Sequence, residues 1–217
     1  MKSKHSSGFT LIELLVVISL IIVLAALVFA LAGRAINSAQ KAVCITNLQG
    51  VGTALQAYLT DKTGKLPGPL NTGQSALFNA SSRSLLTYIA PYLEGEREMP
   101  AGGYLVDHYG CPSLMKRVKI NTIAAAPVVY RLEEKGKLLD INGKDITYPW
   151  GYGVGTIPKN YDQIAPRSAG QVWVMIEQDQ SMGGTWGNNG ASEPAHGNQR
   201  MALYWDWSVK PVRLSQW

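Results

Sequence analysis

Between Leu14 and Gly33 the chain reads LLVVISLIIVLAALVFALAG, twenty residues without a charge. Wound as an α-helix, such a run is about 30 Å long, the thickness of a bilayer's hydrocarbon core. A single membrane-spanning helix is therefore the first expectation. Lys2 and Lys4 precede it and by the positive-inside rule hold the N-terminus in the cytoplasm, although Arg34 and Lys41 beyond the span weaken the contrast. Everything after Gly33 is then exported. Immediately before the run stands Glu13. A carboxylate inside a membrane costs about 2.5–3.5 kcal/mol on insertion scales, so an ionisable group placed there is by default functional and needs a partner.

Three readings compete for this segment. A cleavable secretory signal peptide would use the small-x-small pattern Ala30–Leu31–Ala32, but the apolar run is longer than such peptides carry and Glu13 obstructs insertion. A plain signal anchor leaves Glu13 unexplained. In the third reading SSGFTLIELLVV resembles the N-terminal processing motif of type IV pilins and type II secretion pseudopilins. That resemblance implies cleavage after Gly8 by a prepilin peptidase, methylation of the new N-terminal Phe9, and a glutamate, Glu13, at the fifth mature position. It also implies a partner for that glutamate. When protomers lie side by side, staggered along a filament, the carboxylate of Glu13 approaches the Phe9 amine of a neighbour. Each charge relieves the other in a medium where attraction is several-fold stronger than in water. One departure is that Ala30 stands where many family members carry proline, so the helix keeps its interior hydrogen bonds there.

Beyond the membrane the helix continues in amphipathic form. Cys44, Leu48, Val51, Leu55 and Tyr58 recur at spacings of four and three, one face of a helix. Gly50 and Gly52 each cost about 1 kcal/mol relative to alanine, so packing has to hold this stretch. DKTGKLPGPLNTG ends it, with Gly64 as the expected C-cap and Pro67 beyond. Residues 81–93, SSRSLLTYIAPYL, predict a short helix with Ser81 or Ser82 as N-cap and Leu85 and Ile89 inward. After about residue 100 the pattern turns to strands. QVWVMIEQD puts Val172, Val174 and Ile176 on one face, RMALYW is a second alternating segment, and TYPWGYGVGT and MGGTWGNNGASEPAHGN are loops. The expected organisation is a leader (1–8), a transmembrane helix (9–33), an amphipathic stalk helix (34–62) and a globular head (63–217). The fold class is α+β, a long helix packed on a small antiparallel sheet, which is also the pilin-like fold the resemblance implies.

CITNLQGVGTALQAYLTDKTGKLP, LLTYIAPYL, CPS at 111–113, and His196 separated by nine residues from Asp206 are further similar to a pilin subgroup known from planctomycete and verrucomicrobial bacteria. That subgroup continues Asp-Gly-His where this chain has Asp206, Trp207 and Ser208, which places the usual tight hairpin in question. Cys44 and Cys111 are the only cysteines; in an oxidising compartment they can pair and staple head to stalk, closing a loop worth about 4 kcal/mol by chain entropy. Two buried free thiols are the alternative.

The formal charge of +5 falls to +3 without Lys2 and Lys4, and the basic residues form no stripe, so nucleic acid is not an expected partner. His5, His108 and His196 make no metal-binding spacing with the cysteines, and no metal or cofactor is expected. Glu177, Asp179, Glu193 and Asp206 are oxygen donors for calcium at most, without EF-hand spacing. His196, Asp206 and Ser208 have the residue types of a hydrolytic triad but no nucleophile motif, and GYGVGT lacks the lysine and helix of a phosphate loop. An enzyme is not expected. The sequence reading is a structural filament subunit of a type IV pilus or type II secretion pseudopilus. It sits in the bacterial inner membrane with its head in the periplasm until assembled with itself or related pilins by an inner-membrane platform. The rival is a membrane-anchored periplasmic binding module recognising glycans through Trp173, Trp186, Trp205, Trp207 and Trp217.

Overall fold

The computed structural model of the chain describes residues 10–79, 83–95, 102–106, 108–118, 128–132, 135–152, 155–183 and 190–216. The chain divides into two compact units, Met1–Ala39 and Gln40–Trp217. Helix α1, Leu11–Asp61, is 51 residues long and contributes to both. In the first unit every leucine, isoleucine and valine from Leu11 to Leu31 is exposed. At about 25 cal/mol per Å² of apolar surface, such a helix is stable only where its surroundings are themselves apolar. It runs unbroken through Ala30, and it is long and apolar enough to cross a membrane.

In the second unit the same helix turns one face inward. Cys44, Leu48, Val51 and Leu55 of the predicted stripe are fully buried, and Leu59, at 6% exposed, continues it in place of Tyr58. The half-buried Tyr58 meets Tyr88 and Tyr92 edge-on, with ring centroids 6.0 and 6.1 Å away. At the C-terminus both Thr63 (φ 51°) and Gly64 (φ 83°) are left-handed, and the Gly64 N–H donates to Leu59 O at 2.7 Å. The expected glycine cap is thus shared with a threonine, because a reversal through two left-handed residues lets the second reach the last free carbonyls.

The head follows as β1 (Gly73–Ser75), β2 (Leu77–Phe78), α2 (Leu86–Glu94), β3 (Tyr104–Leu105), α3 (Pro112–Arg117) and β4 (Val128–Leu132). It continues with β5 (Lys135–Leu139), β6 (Asp145–Thr147), α4 (Pro166–Ala169), β7 (Trp173–Glu177), β8 (Gln199–Tyr204) and β9 (Val209–Arg213). Five strands form one sheet in the order β1-β4-β7-β8-β9, every neighbouring pair antiparallel. The arrangement is α+β, a long helix with an antiparallel sheet. Val129, Val174, Met175, Met201 and Leu203 share one buried cluster with the helix residues Cys44 to Leu59. Ser81 and Ser82, the expected N-caps of α2, lie outside the described residues. The buried side chain of Gln74 in β1 instead accepts from Leu85 N–H at 2.6 Å at the start of that helix.

Two expectations change. Val172 and Val174 do enter the main core, but Ile176 joins a separate cluster with Met182, Ala202 and Val212. The cause is a register shift between Trp173 and Met175 where β7 pairs with β8; an extra residue in a strand reverses the alternation beyond it. The hairpin at Asp206 is present: β8 and β9 pair from Gln199↔Arg213 to Leu203↔Val209, and Tyr204 N–H donates to Ser208 O at 2.9 Å. Trp207 itself takes the left-handed conformation, φ 66°, that a glycine would adopt freely, and its ring lies 5.0 Å from that of Tyr161. Tyr161 in turn donates to Trp205 O at 2.6 Å, which ties the turn down and holds the unfavourable backbone.

Candidate functional site

Gly8 and Phe9, the expected cleavage and methylation residues, lie outside the described residues. Glu13 is described, in the first turn of α1. Its Oε2 accepts from Thr10 N at 2.8 Å and Thr10 Oγ1 at 2.7 Å, while Glu13 N donates to Thr10 Oγ1 at 3.3 Å. This is a reciprocal capping box, which satisfies two backbone donors that a helix start leaves free. The pattern Thr-x-x-Glu in TLIE announces it, a role distinct from the intermolecular pairing expected of Glu13. Within one chain the carboxylate therefore has a local role.

The second cluster centres on the cysteines. Cys44 on α1 and Cys111 before α3 form a disulfide, S–S 2.13 Å and Cα–Cα 4.6 Å, with 67 residues of separation. Both are fully buried, and the bond between them replaces the alternative of two buried free thiols. Polar bonds brace the join: Asn47 Nδ2 donates to Gly110 O at 2.7 Å, Ser113 Oγ to Gln40 Oε1 at 3.1 Å, and Lys41 Nζ to Gln199 Oε1 at 2.6 Å.

Against the disulfide stand His196 and Glu177, residues whose types also suit a triad and a calcium set. His196 Nε2 lies 3.5 Å from Cys111 Sγ and 3.4 Å from Glu177 Oε1. Glu177, the last residue of β7, is 1% exposed; its Oε2 accepts from Met201 N–H at 2.8 Å, and its Oε1 has no hydrogen-bond partner. Nearby, Tyr130 and Tyr109 meet edge-on at 5.3 Å. Burial, with the charge of Glu177 and the neighbouring Tyr109, pushes the Tyr130 phenol well above its ordinary range. No spacing in the chain foretold this meeting, since 85 residues separate His196 from Cys111.

The other sequence candidates scatter. Asp179 is buried and held by Arg200, Nε to Oδ2 at 2.6 Å and Nη2 to Oδ1 at 3.1 Å, with Ser181 Oγ at 2.5 Å. Asp206 accepts from Ser208 N and Oγ at 3.0 and 2.5 Å, which makes it a turn residue, while His196 sits with Cys111 and Glu177. The triad is not assembled. Glu193 is exposed, 3.8 Å from Arg117, so the four carboxylates do not converge. Trp205 is fully buried and stacks on Trp150 at 5.0 Å, Trp173 packs in the second core cluster, and Trp186 and Trp217 lie outside the described residues. The tryptophans described are packing groups rather than an open platform.

Compared with known proteins, residues 3–29 match the prokaryotic N-terminal methylation motif. No curated protein matches the chain, and no solved structure does. The matched stretch ends at residue 29, before the residues that carried the subgroup resemblance. It contains Gly8, Phe9 and Glu13 and most of the exposed apolar helix.

Proposed function

We propose that the chain is a prepilin-type subunit, cleaved after Gly8, methylated at Phe9, held in the inner membrane by residues 9–33, and assembled with itself or related pilins into a pilus or secretion pseudopilus. Residues 1–8 are then the leader, 34–62 the stalk, and 63–217 a head on the far side of the membrane. The observation that carries the reading is the methylation motif over residues 3–29. The exposed aliphatic surface of the same helix supports it. Inserted alone, each protomer lays that surface against lipid; bundled in a filament, the surfaces cover one another. The roles are mechanical and associative, with a prepilin peptidase and an assembly platform as partners.

Glu13 has two employments in this scheme. In the single chain it caps its own helix. In the filament it neutralises a neighbour's Phe9 amine, and removing one partner of such a buried pair leaves the other charge stranded. Glu13→Ala is expected to leave the protein synthesised and inserted but to reduce filament yield at least tenfold, as counted by electron microscopy of sheared material; undiminished filaments would remove this role.

The test of the function itself is the N-terminus of native protein. Mass spectrometry should find a chain starting at N-methylated Phe9. A start at Met1, or at Gly33 after signal-peptide cleavage, overturns the proposal. An intact N-terminus joined with saturable glycan binding would restore the binding-module reading, against which the burial of Trp205 speaks.

A further inference from the structure

Four potential ligand atoms converge at the join between α1 and the head: Cys44 Sγ, Cys111 Sγ, His196 Nε2 and a Glu177 carboxylate oxygen, all within 4.8 Å of one another. We propose that in the dithiol state of the protein these four residues bind one zinc ion, so that the position closed by a disulfide in the oxidised chain is a tetrahedral metal centre in the reduced one.

The geometry is already close to that of such a centre. Zinc holds thiolate sulfur at about 2.3 Å and imidazole nitrogen or carboxylate oxygen at about 2.0–2.1 Å, which in a tetrahedron separates N from S by about 3.5 Å, N from O by about 3.4 Å, and S from S by about 3.8 Å. The structure has His196 Nε2 3.5 Å from Cys111 Sγ and 3.4 Å from Glu177 Oε1. Of the edges measured, the sulfur pair alone, at 2.13 Å, is too short, and opening the disulfide lengthens that edge. Two thiolates, an imidazole and one carboxylate select a borderline-soft ion over calcium or magnesium.

A second observation fits a bound cation. Glu177 Oε1 is buried without a hydrogen-bond partner and faces His196 Nε2 at 3.4 Å, and an ion between the two would satisfy both atoms, which the present contact does not do by hydrogen bonding. Its other oxygen is fixed by Met201 N–H, the kind of outer support that orients a ligating carboxylate, and a backbone bridge to Gln199 at the head of β8 fixes the position of His196 in the chain. The apparent spacing problem disappears because the end of β7, the segment leading into β8, α1 and the start of α3 deliver the ligands, not neighbouring residues. This inference does not depend on the filament reading.

The experiment uses the full chain in detergent micelles. A water-soluble phosphine breaks the S–S bond; the two sulfurs leave as thiols and the phosphine takes oxygen from water to become its oxide. On binding, the two thiols release their protons, and His196 coordinates through Nε2 with its remaining proton on Nδ1. Cobalt(II) titrated into the reduced chain near neutral pH should bind one per chain, with thiolate-to-cobalt charge transfer in the near ultraviolet and tetrahedral ligand-field bands in the visible. Zinc should displace it. The oxidised chain should give neither signal. His196→Gln and Glu177→Gln should each weaken zinc binding more than about 100-fold, since loss of an outer support alone costs 10–100-fold. Thermal unfolding of both oxidised variants separates lost ligation from lost folding. The proposal falls if the reduced chain shows no saturable binding or only octahedral cobalt. It also falls if the two variants bind as tightly as the parent, or if reduction abolishes the near-ultraviolet dichroism of the head and zinc does not restore it.

Discussion

Gly50 and Gly52 both sit inside α1, two residues apart, and substitution by alanine should affect them in opposite directions. In each case the helix gains about 1 kcal/mol of backbone propensity. At Gly50 a new Cβ would meet nothing nearer than Leu93 Cδ2 at 4.0 Å, an ordinary contact, so Gly50→Ala should stabilise the head by close to that full amount. At Gly52 the same Cβ would lie 3.2 Å from Leu203 Cδ1 and 3.9 Å from Trp207 Cε3. Leu203 is fully buried on β8 and Trp207 is held at the turn by Tyr161, so neither retreats freely. Overpacking of this kind costs about 1–3 kcal/mol, which cancels or exceeds the propensity gain. The net for Gly52→Ala is about 0–2 kcal/mol of destabilisation. Thermal unfolding followed by near-ultraviolet dichroism, at one scan rate, resolves the pair, because 1 kcal/mol moves Tm by about 2–4 °C in a domain of this size. If Gly52→Ala raises Tm as much as Gly50→Ala, the close seating of the β8–β9 hairpin on the helix is wrong.

Replacing both cysteines, Cys44→Ala with Cys111→Ala, removes a cross-link over 67 residues and should cost about 4 kcal/mol, read as a Tm lower by about 10 °C; a shift under 2 °C would show that the link does not constrain the unfolded chain. Burial pushes the carboxyl of Asp179 up, but bonds from Arg200 and Ser181 reverse this and hold it below the usual value. Its contribution is therefore complete above the unfolded carboxyl's pKa of about 3.9 and is lost as pH falls through the lower folded value. Arg200→Met strands that charge and should cost about 3–5 kcal/mol near neutral pH, a deficit that shrinks as acid protonates the stranded carboxyl; a deficit that stays constant from neutral to acid pH would refute the assignment.

The sequence disclosed what is local. The stripe Cys44, Leu48, Val51, Leu55 is visible because one helix face repeats through the chain itself, and the Thr10–Glu13 cap is visible because its partners are three residues apart. Ile176 was misplaced because one shifted residue in β7 reverses the alternation, and nothing in QVWVMIEQD marks the shift. The hairpin at Asp206 was doubted because Trp207 replaces glycine; only the packing of Tyr161 shows what holds a tryptophan there. His196 and Glu177 looked like members of a triad and of a calcium set. Their actual neighbours are contributed by an antiparallel pairing and a distant helix, which no linear spacing records.

The bond between Cys44 and Cys111 also decides how a pull on this molecule travels. Tension entering the head along α1 meets the covalent bridge at Cys44, four residues past Gln40, and has a path to Cys111 that leaves out the intervening end of α1, the short strands and α2. Those elements can fluctuate or loosen while the rope holds, and with the bridge open the same pull would instead peel the helix from the sheet one side chain at a time.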